Sequence, residues 1–227
     1  MIFNSKPPNW KDLQKYVCQV FREMGCLAEE GKQIETIRGA SIADVYIVDS
    51  AKAPEIVYIV ECKYWNKRVP KSEVRVFRTI ISDYGAHMGI IISQKGFQKG
   101  AYDVAINTNV HLFSWEEFNS YFFNRWLRSM SKNLEVQARK LIKYTTFDFQ
   151  DYDFKDSYHW DIFRKWQVME RKSMSYGLVV NRKPKLTLDD FPIRMIDPER
   201  DLQAIEPGDL SIFIDFITPR QYFDFML

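Results

Sequence analysis

Apolar residues recur along this chain at two different periods, and the switches between them outline its elements. Trp10, Leu13, Val17, Val20, Phe21 and Met24 fall at three- and four-residue spacing, which puts them on one face of a helix. Asn9 is placed to cap that helix, with Asp12 at the third helical position, and Gly25 is placed to stop it. After a polar stretch, roughly residues 34–37 predict a strand. Residues 43–48 and Ile56–Lys63 predict the two clearest strands, separated by the breaker-rich segment 49–55. Helical spacing returns at Val74, Phe77, Ile80, Ile81 and Tyr84, behind Ser72 as a cap. Met88–Ser93 is almost free of polar side chains, as expected of a strand covered on both faces. A helix carrying Ala101, Val104 and Ala105 follows, then a strand over 110–113. Ser114 and Glu117 then form a capping-box pattern for a helix that starts at Trp115. The order αβββαβαβα predicts an α/β fold, a mixed central sheet with helices on its faces.

Beyond residue 120 the pattern changes. Residues 119–144 read helical, 148–158 are acidic and aromatic, a helix is expected over 160–173, and strands over 176–180 and 210–217. This predicts one domain over residues 1–125 and a C-terminal α+β extension over 126–227. Trp160, Phe163 and Trp166, at i, i+3 and i+6, read as core and not as a base-stacking platform.

The 46% hydrophobic and 15% aromatic content supports a substantial core and argues against disorder. A net charge of +2 gives little long-range attraction for a polyanion, so nucleic-acid binding would need a local basic patch. Cys18, Cys26 and Cys62 have no metal-ligand spacing and an odd count, which fits a reducing cytosol. There is no signal-peptide run and no apolar stretch of roughly 20 residues, so a soluble cytoplasmic protein without a membrane span is expected.

The chemistry concentrates at the end of the strand Ile56–Lys63. Glu61 and Lys63, two residues apart on a strand, project to one side of it. A hairpin centred near residue 52 puts Asp44 opposite residue 60 or 61, about 5 Å away if directly opposed. Burying such charges costs several kcal/mol each, by order of magnitude ~3, unless they are paired or hold a metal. Mg²⁺ takes hard oxygen ligands, often one or two carboxylates. Asp44 and Glu61 would supply them, with the backbone carbonyl of Cys62 as a third. Lys63 would stand beside the attacking water, to lower its pKa, orient it or neutralise charge on the phosphate. Acid-x-Lys also occurs at Glu30-Gly31-Lys32 and Asp153-Phe154-Lys155, neither at the end of an apolar strand. The residues alone equally allow a structural ion-pair cluster.

The succession of a helix, Arg38-Gly39, Asp44-Val45, Val60-Glu61-Cys62-Lys63, Val69-Pro70, Glu73-Val74, the run from Gly89 to Phe97, and Gly100-Ala101 resembles the Mrr-type restriction endonucleases of the PD-(D/E)XK superfamily. The resemblance covers roughly residues 10–118. It implies a restriction-endonuclease-like fold with an αβββαβ core, and a Mg²⁺-dependent nuclease, with Mn²⁺ able to substitute. DNA is the implied partner, Asp44 and Glu61 are the implied metal ligands, and Lys63 is the implied catalytic lysine. Ala43 stands where a proline is often found. Gln14 stands where the first helix often carries a supporting glutamate; it can hydrogen-bond a coordinated water but adds no charge, which counts against a second metal ion. Lys67, Arg68 and Lys71, in the loop after the triad, are read as phosphate contacts, and Ser93, Gln94 and Lys95 as further backbone contacts. A solvated helix face explains Arg75 and Arg78 as well as phosphate contact does. Cys62 is read as a small buried hydrophobe, and His87 as a partner of its helix's C-terminal dipole.

The expected function is DNA endonuclease, in defence against foreign DNA. The alternatives are a catalytically idle nuclease-fold module for DNA binding or assembly, and a structure-selective nuclease of DNA or RNA. A homodimer is an option for double-strand cutting, and the C-terminal half is the expected seat of recognition, regulation or a partner protein.

Overall fold

The computed structural model describes residues 2–3, 5–51, 53–145, 186, 189, 191–196 and 213–227. Helix α1 spans Trp10–Glu23, with the Asn9 side chain accepting from the Asp12 amide at 3.0 Å. Leu13, Val17, Val20 and Phe21 are buried as the spacing requires, whereas Trp10, in the first turn, is 49% exposed.

Five strands form one sheet in the order β1 (Leu27–Thr36), β2 (Gly39–Asp49), β3 (Ile56–Lys63), β4 (Met88–Ser93), β5 (Val110–Ser114). β1, β2 and β3 are antiparallel neighbours, and β4 and β5 join in parallel. The parallel connections need crossovers, supplied by α2 (Lys71–Tyr84) and α3 (Lys99–Ala105). Helix α4 (Trp115–Thr145) follows β5 directly. Its reciprocal cap is formed as the sequence predicts: the Ser114 amide donates to Glu117 at 2.7 Å, and the Glu117 amide to the Ser114 hydroxyl at 3.2 Å. The fold is therefore the mixed α/β architecture that the order of elements in the sequence predicts, a central mixed sheet with helices on its faces.

Three local expectations change. β1 begins at Leu27, not near residue 34. It is an edge strand, mostly exposed, held by its backbone ladder to β2 with little apolar alternation to reveal it. Ser72 lies inside the first turn of α2, behind Pro70, whose extended backbone precedes the helix without a side-chain cap. His87 serves no helix dipole, because α2 has already ended at Gly85 (φ +77°). Its amide donates to Val57 O at 3.0 Å and its ring Nδ1 accepts from the Val57 amide at 3.1 Å, extending the β3–β4 ladder.

The β1–β2 hairpin changes face at Asp44. Glu30 pairs with Val45 and Lys32 with Ala43, so Gly31 stands opposite Asp44. Gly31 is left-handed at φ +63°, which breaks the strand's alternation. Beyond it Ile34 and Ala43 join the core cluster of Tyr46, Ile59, Phe77 and Ile81, although Ala43 and Tyr46 are an odd number of residues apart. The hairpin thereby reaches across α2, where Arg38 holds Asp83 at 2.9 Å. Gly31→Ala forces an L-residue into this conformation and should cost roughly 1–2 kcal/mol in urea denaturation. A variant as stable as the parent would show that the hairpin does without the kink.

The chain divides into two units, Met1–Ser129 and Met130–Leu227. Arg125 and Trp126, the residues on either side of the 125/126 boundary expected from the sequence, both lie in the first. Arg125 donates to Asp49 Oδ2 at 2.7 Å and Trp126 Nε1 to Glu23 Oε2 at 2.6 Å, tying α4 to β2 and α1. In the second unit β6 (Ile193–Ile196) pairs antiparallel with β7 (Phe213–Phe216), and a bidentate Arg194–Asp215 pair crosses between them. Helix α5 (Pro219–Met226) opens on a Thr218–Gln221 capping box. β7 falls within the strand expected over 210–217, whereas β6 and α5 were not expected from the sequence. The acidic, aromatic stretch 148–158 and the elements expected over 160–173 and 176–180, with Trp160, Phe163 and Trp166, lie outside the described residues. Among the described residues no helix is long and apolar enough to cross a membrane.

Candidate active site

The ladder between β2 and β3 pairs Val45 with Val60, so the next step brings Asp44 opposite Glu61. The Asp44 side chain closes the ladder's end: its Oδ2 accepts the Cys62 amide at 2.7 Å. Its Oδ1 accepts Gln14 Nε2, also at 2.7 Å. Gln14 thus holds the Asp44 carboxylate directly, a different role from the water contact expected of it. Lys63 ends β3, and its carbonyl accepts from Gln94 of the next loop at 3.1 Å, so the strand end is fixed by β4's continuation. Its ammonium lies 2.8 Å from Glu61 Oε1, 3.2 Å from Glu73 Oε2 and 4.7 Å from the centre of the Trp65 ring.

Burial pushes the Asp44 carboxyl above its ordinary range, against the opposing pull of the Cys62 amide, Lys63 and Gln14. Burial also raises Glu61, and the neighbouring Asp44 charge raises it further, with Lys63 working the other way. For Lys63 burial acts to lower the pKa, and the Glu61 and Glu73 carboxylates overcome it, so the ammonium is held above its usual value. Two carboxylates, Glu61 and Glu73, thus share one ammonium in a half-buried setting, and the Asp44 charge lies close enough to Glu61 to raise it. That excess of negative charge is the electrostatic condition for attracting a divalent cation.

The donor set fits a hard cation. Asp44 and Glu61 offer carboxylate oxygens from adjacent strands. In a strand the N–H and C=O of one residue turn to the same edge, so Cys62, whose amide reaches Asp44, turns its carbonyl that way too. Among the described residues no cluster of three or more His, Cys, Asp or Glu side chains gathers around a point. Two carboxylates with a main-chain carbonyl match the sparse protein shell that Mg²⁺ accepts. Cys62 itself is buried, and burial drives its thiol well above the ordinary value, which suits a packing residue and not a nucleophile.

The loops after β3 and β4 are knitted together, Val69 N–H to Gly96 O and Gln98 N–H to Val69 O, each at 3.0 Å. Lys67, Arg68, Gln94 and Lys95 are exposed on these adjoining loops, and Lys71, expected in the first of them, is exposed at the first position of α2. Ser93, expected among the backbone contacts, is fully buried, and its hydroxyl donates to Gly96 O at 2.9 Å, which shapes the turn. Arg78 is engaged with Val104 O at 2.9 Å, which favours the helix-face reading for it. Glu73 is the site residue that sequence reasoning left without a role. Its place in the first turn of α2 gives no local sign of this, because its partner Lys63 belongs to another element.

A family model described as restriction endonuclease, of the Mrr catalytic type, matches residues 7–122. The chain belongs to this restriction endonuclease family. The match spans the whole sheet together with α1, α2 and α3, and so contains every residue of the site described above. Membership assigns the chain to the nucleases that act on DNA. Among solved structures, the protein of unknown function AF1548 is similar at 14% identity and a TM-score of 0.44, over 71% of this chain and 98% of its own. The MspJI restriction endonuclease, in complex with a 27-mer oligonucleotide, is similar at 20% identity and a TM-score of 0.33, over 52% of this chain and 27% of its own. No curated protein matches the chain.

Proposed function

We propose that this restriction endonuclease family member hydrolyses DNA phosphodiester bonds with Mg²⁺, in defence against foreign DNA. The observation that supports it most is the meeting of Asp44, Glu61 and Lys63 where β2 and β3 part, with Lys63 2.8 Å from Glu61 and Asp44 fixed by Gln14 and the Cys62 amide. Asp44, Glu61 and the Cys62 carbonyl would hold the cation, which when bound supplies positive charge to the scissile phosphate and acidifies the attacking water. Lys63 donates hydrogen bonds to that water or to a non-bridging phosphate oxygen, offsetting the charge that builds there. Gln14 keeps the Asp44 carboxylate aimed. Lys67, Arg68, Lys71 and Lys95, with Gln94, hold the flanking backbone, a contact that positions the strand without reading its sequence.

Incubation of the purified chain with supercoiled plasmid tests this. Nicked or linear product is expected with Mg²⁺ or Mn²⁺ and none with EDTA; cutting that survives EDTA would sink the metal-dependent mechanism. Linear product ahead of nicked would point to paired active sites. Replacing Lys67, Arg68 and Lys95 together by Ala should weaken binding to duplexes of any sequence. The log–log salt slope should fall by about 0.9 for each phosphate contact removed. An unchanged slope in a titration over KCl would place the DNA elsewhere.

A further inference from the structure

Glu73 has no task in the chemistry above, yet its carboxylate reaches the centre of it. Lys63 Nζ lies 2.8 Å from Glu61 Oε1 and 3.2 Å from Glu73 Oε2, with a side chain only 15% exposed. Glu61 is shared between two claims. It pairs with this ammonium, and it is a proposed ligand for a divalent cation. An ammonium and a cation repel, so one carboxylate cannot serve both at full strength. When Glu61 turns to the cation, Lys63 gives up the shorter of its two ion pairs. What remains is Glu73 and the Trp65 ring, 4.7 Å from Nζ at its centre. Glu73 is suited to hold on alone because it stands on a different element. It belongs to the first turn of α2, where a helix favours negative charge, and Pro70 engages no side chain there.

We propose, on the nuclease reading above, that Glu73 is a positioning residue. It keeps the Lys63 ammonium at the reacting phosphate while Glu61 serves the cation. Without Glu73, Lys63 closes on Glu61 alone and competes with the cation for it. A salt bridge that merely stabilised the fold would have no such link to cation affinity.

Calorimetric titration of Mn²⁺ into the full chain, without DNA, tests the proposal on the parent, Glu73→Gln, Lys63→Met and the double variant. Glu73→Gln is expected to bind Mn²⁺ roughly fivefold more weakly or worse in the parent background, and within about twofold of its reference in the Lys63→Met background, because coupled residues are non-additive. An equal loss in both backgrounds overturns the proposal, since Glu73 would then act on the cation directly. A parent that binds Mn²⁺ with an unaltered Glu73→Gln overturns this proposal alone. A parent that binds no Mn²⁺ overturns the metal-site reading and this proposal with it. Glu73→Asp keeps the charge and guards against misfolding: it is expected to recover part of the affinity, and an Asp variant that folds but binds no better than Gln counts against the idea. On plasmid, Glu73→Gln should lower kcat with KM for DNA unchanged; a change confined to KM would also overturn it.

Discussion

Glu61→Gln should lower DNA cleavage by roughly 10²–10³-fold, the scale for removing one preorganised charged group, while leaving the metal-free protein at least as stable as the parent. The two effects have one cause. Burial and the Asp44 charge hold the Glu61 carboxyl above its ordinary value, so the folded chain binds that proton more tightly than the unfolded chain does. Such a group subtracts stability at pH values above its folded pKa and subtracts none below its unfolded pKa. The parent therefore gains on Glu61→Gln as pH falls through the carboxyl range. Gln still offers an oxygen to Lys63. Thermal midpoints in EDTA at pH 8 and pH 4 check this: the variant is expected level with or above the parent at pH 8, with the gap moving in the parent's favour at pH 4. A variant clearly less stable at pH 8 would mean that Glu61 serves the fold, as the ion-pair reading of the sequence allowed.

Arg125→Ala, although away from the site, should cost about 3–5 kcal/mol, the cost of leaving a buried charge without its partner. The Asp49 side chain is 1% exposed, and Arg125 reaches it at 2.7 Å while also touching Cys26 Sγ at 3.3 Å. Asp49 and Asp44 sit at opposite ends of the β2 segment paired to β3, about 16 Å apart at the rise of a strand. The pair therefore fastens α4 to the sheet without entering the chemistry. Urea midpoints measure the loss. Adding Asp49→Asn to the variant should recover much of it, because the orphaned charge is gone; no recovery would place the damage in packing around α4.

How much was legible in the sequence follows from where each residue finds its partner. β3 and β4 could be read because nearly every residue in them faces a core on one or both sides, so period and residue type agree. The pairing of Asp44 with Glu61 could be read because the 49–55 loop sets the centre of the hairpin and hence its register. The start of β1 was hidden because an edge strand is held by backbone bonds that leave little hydrophobic signature. The burial of Ser93 was hidden because residue type says surface, whereas its hydroxyl is enclosed by the turn to Gly96. The target of Gln14 and the role of Glu73 were hidden for a deeper reason. Each acts on a side chain from another element, Asp44 30 residues away for Gln14 and Lys63 for Glu73, and no local spacing records such a meeting. β6 and α5 are short, and the proline-containing stretch before them blurred their pattern.

The central claim, that this cluster is a catalytic centre and not a structural one, is tested most directly by Lys63→Met. Parent and variant are set side by side at equal concentration on supercoiled plasmid with Mg²⁺, with duplex binding measured on the same preparations. The expected result is cutting by the parent alone, with DNA affinity of the two within about twofold, since the proposal has Lys63 act on the reacting phosphate and the loop cations carry the binding. Equal cutting by the two proteins would contradict it and return the Asp44, Glu61 and Lys63 cluster to an ion-pair network at the end of a sheet.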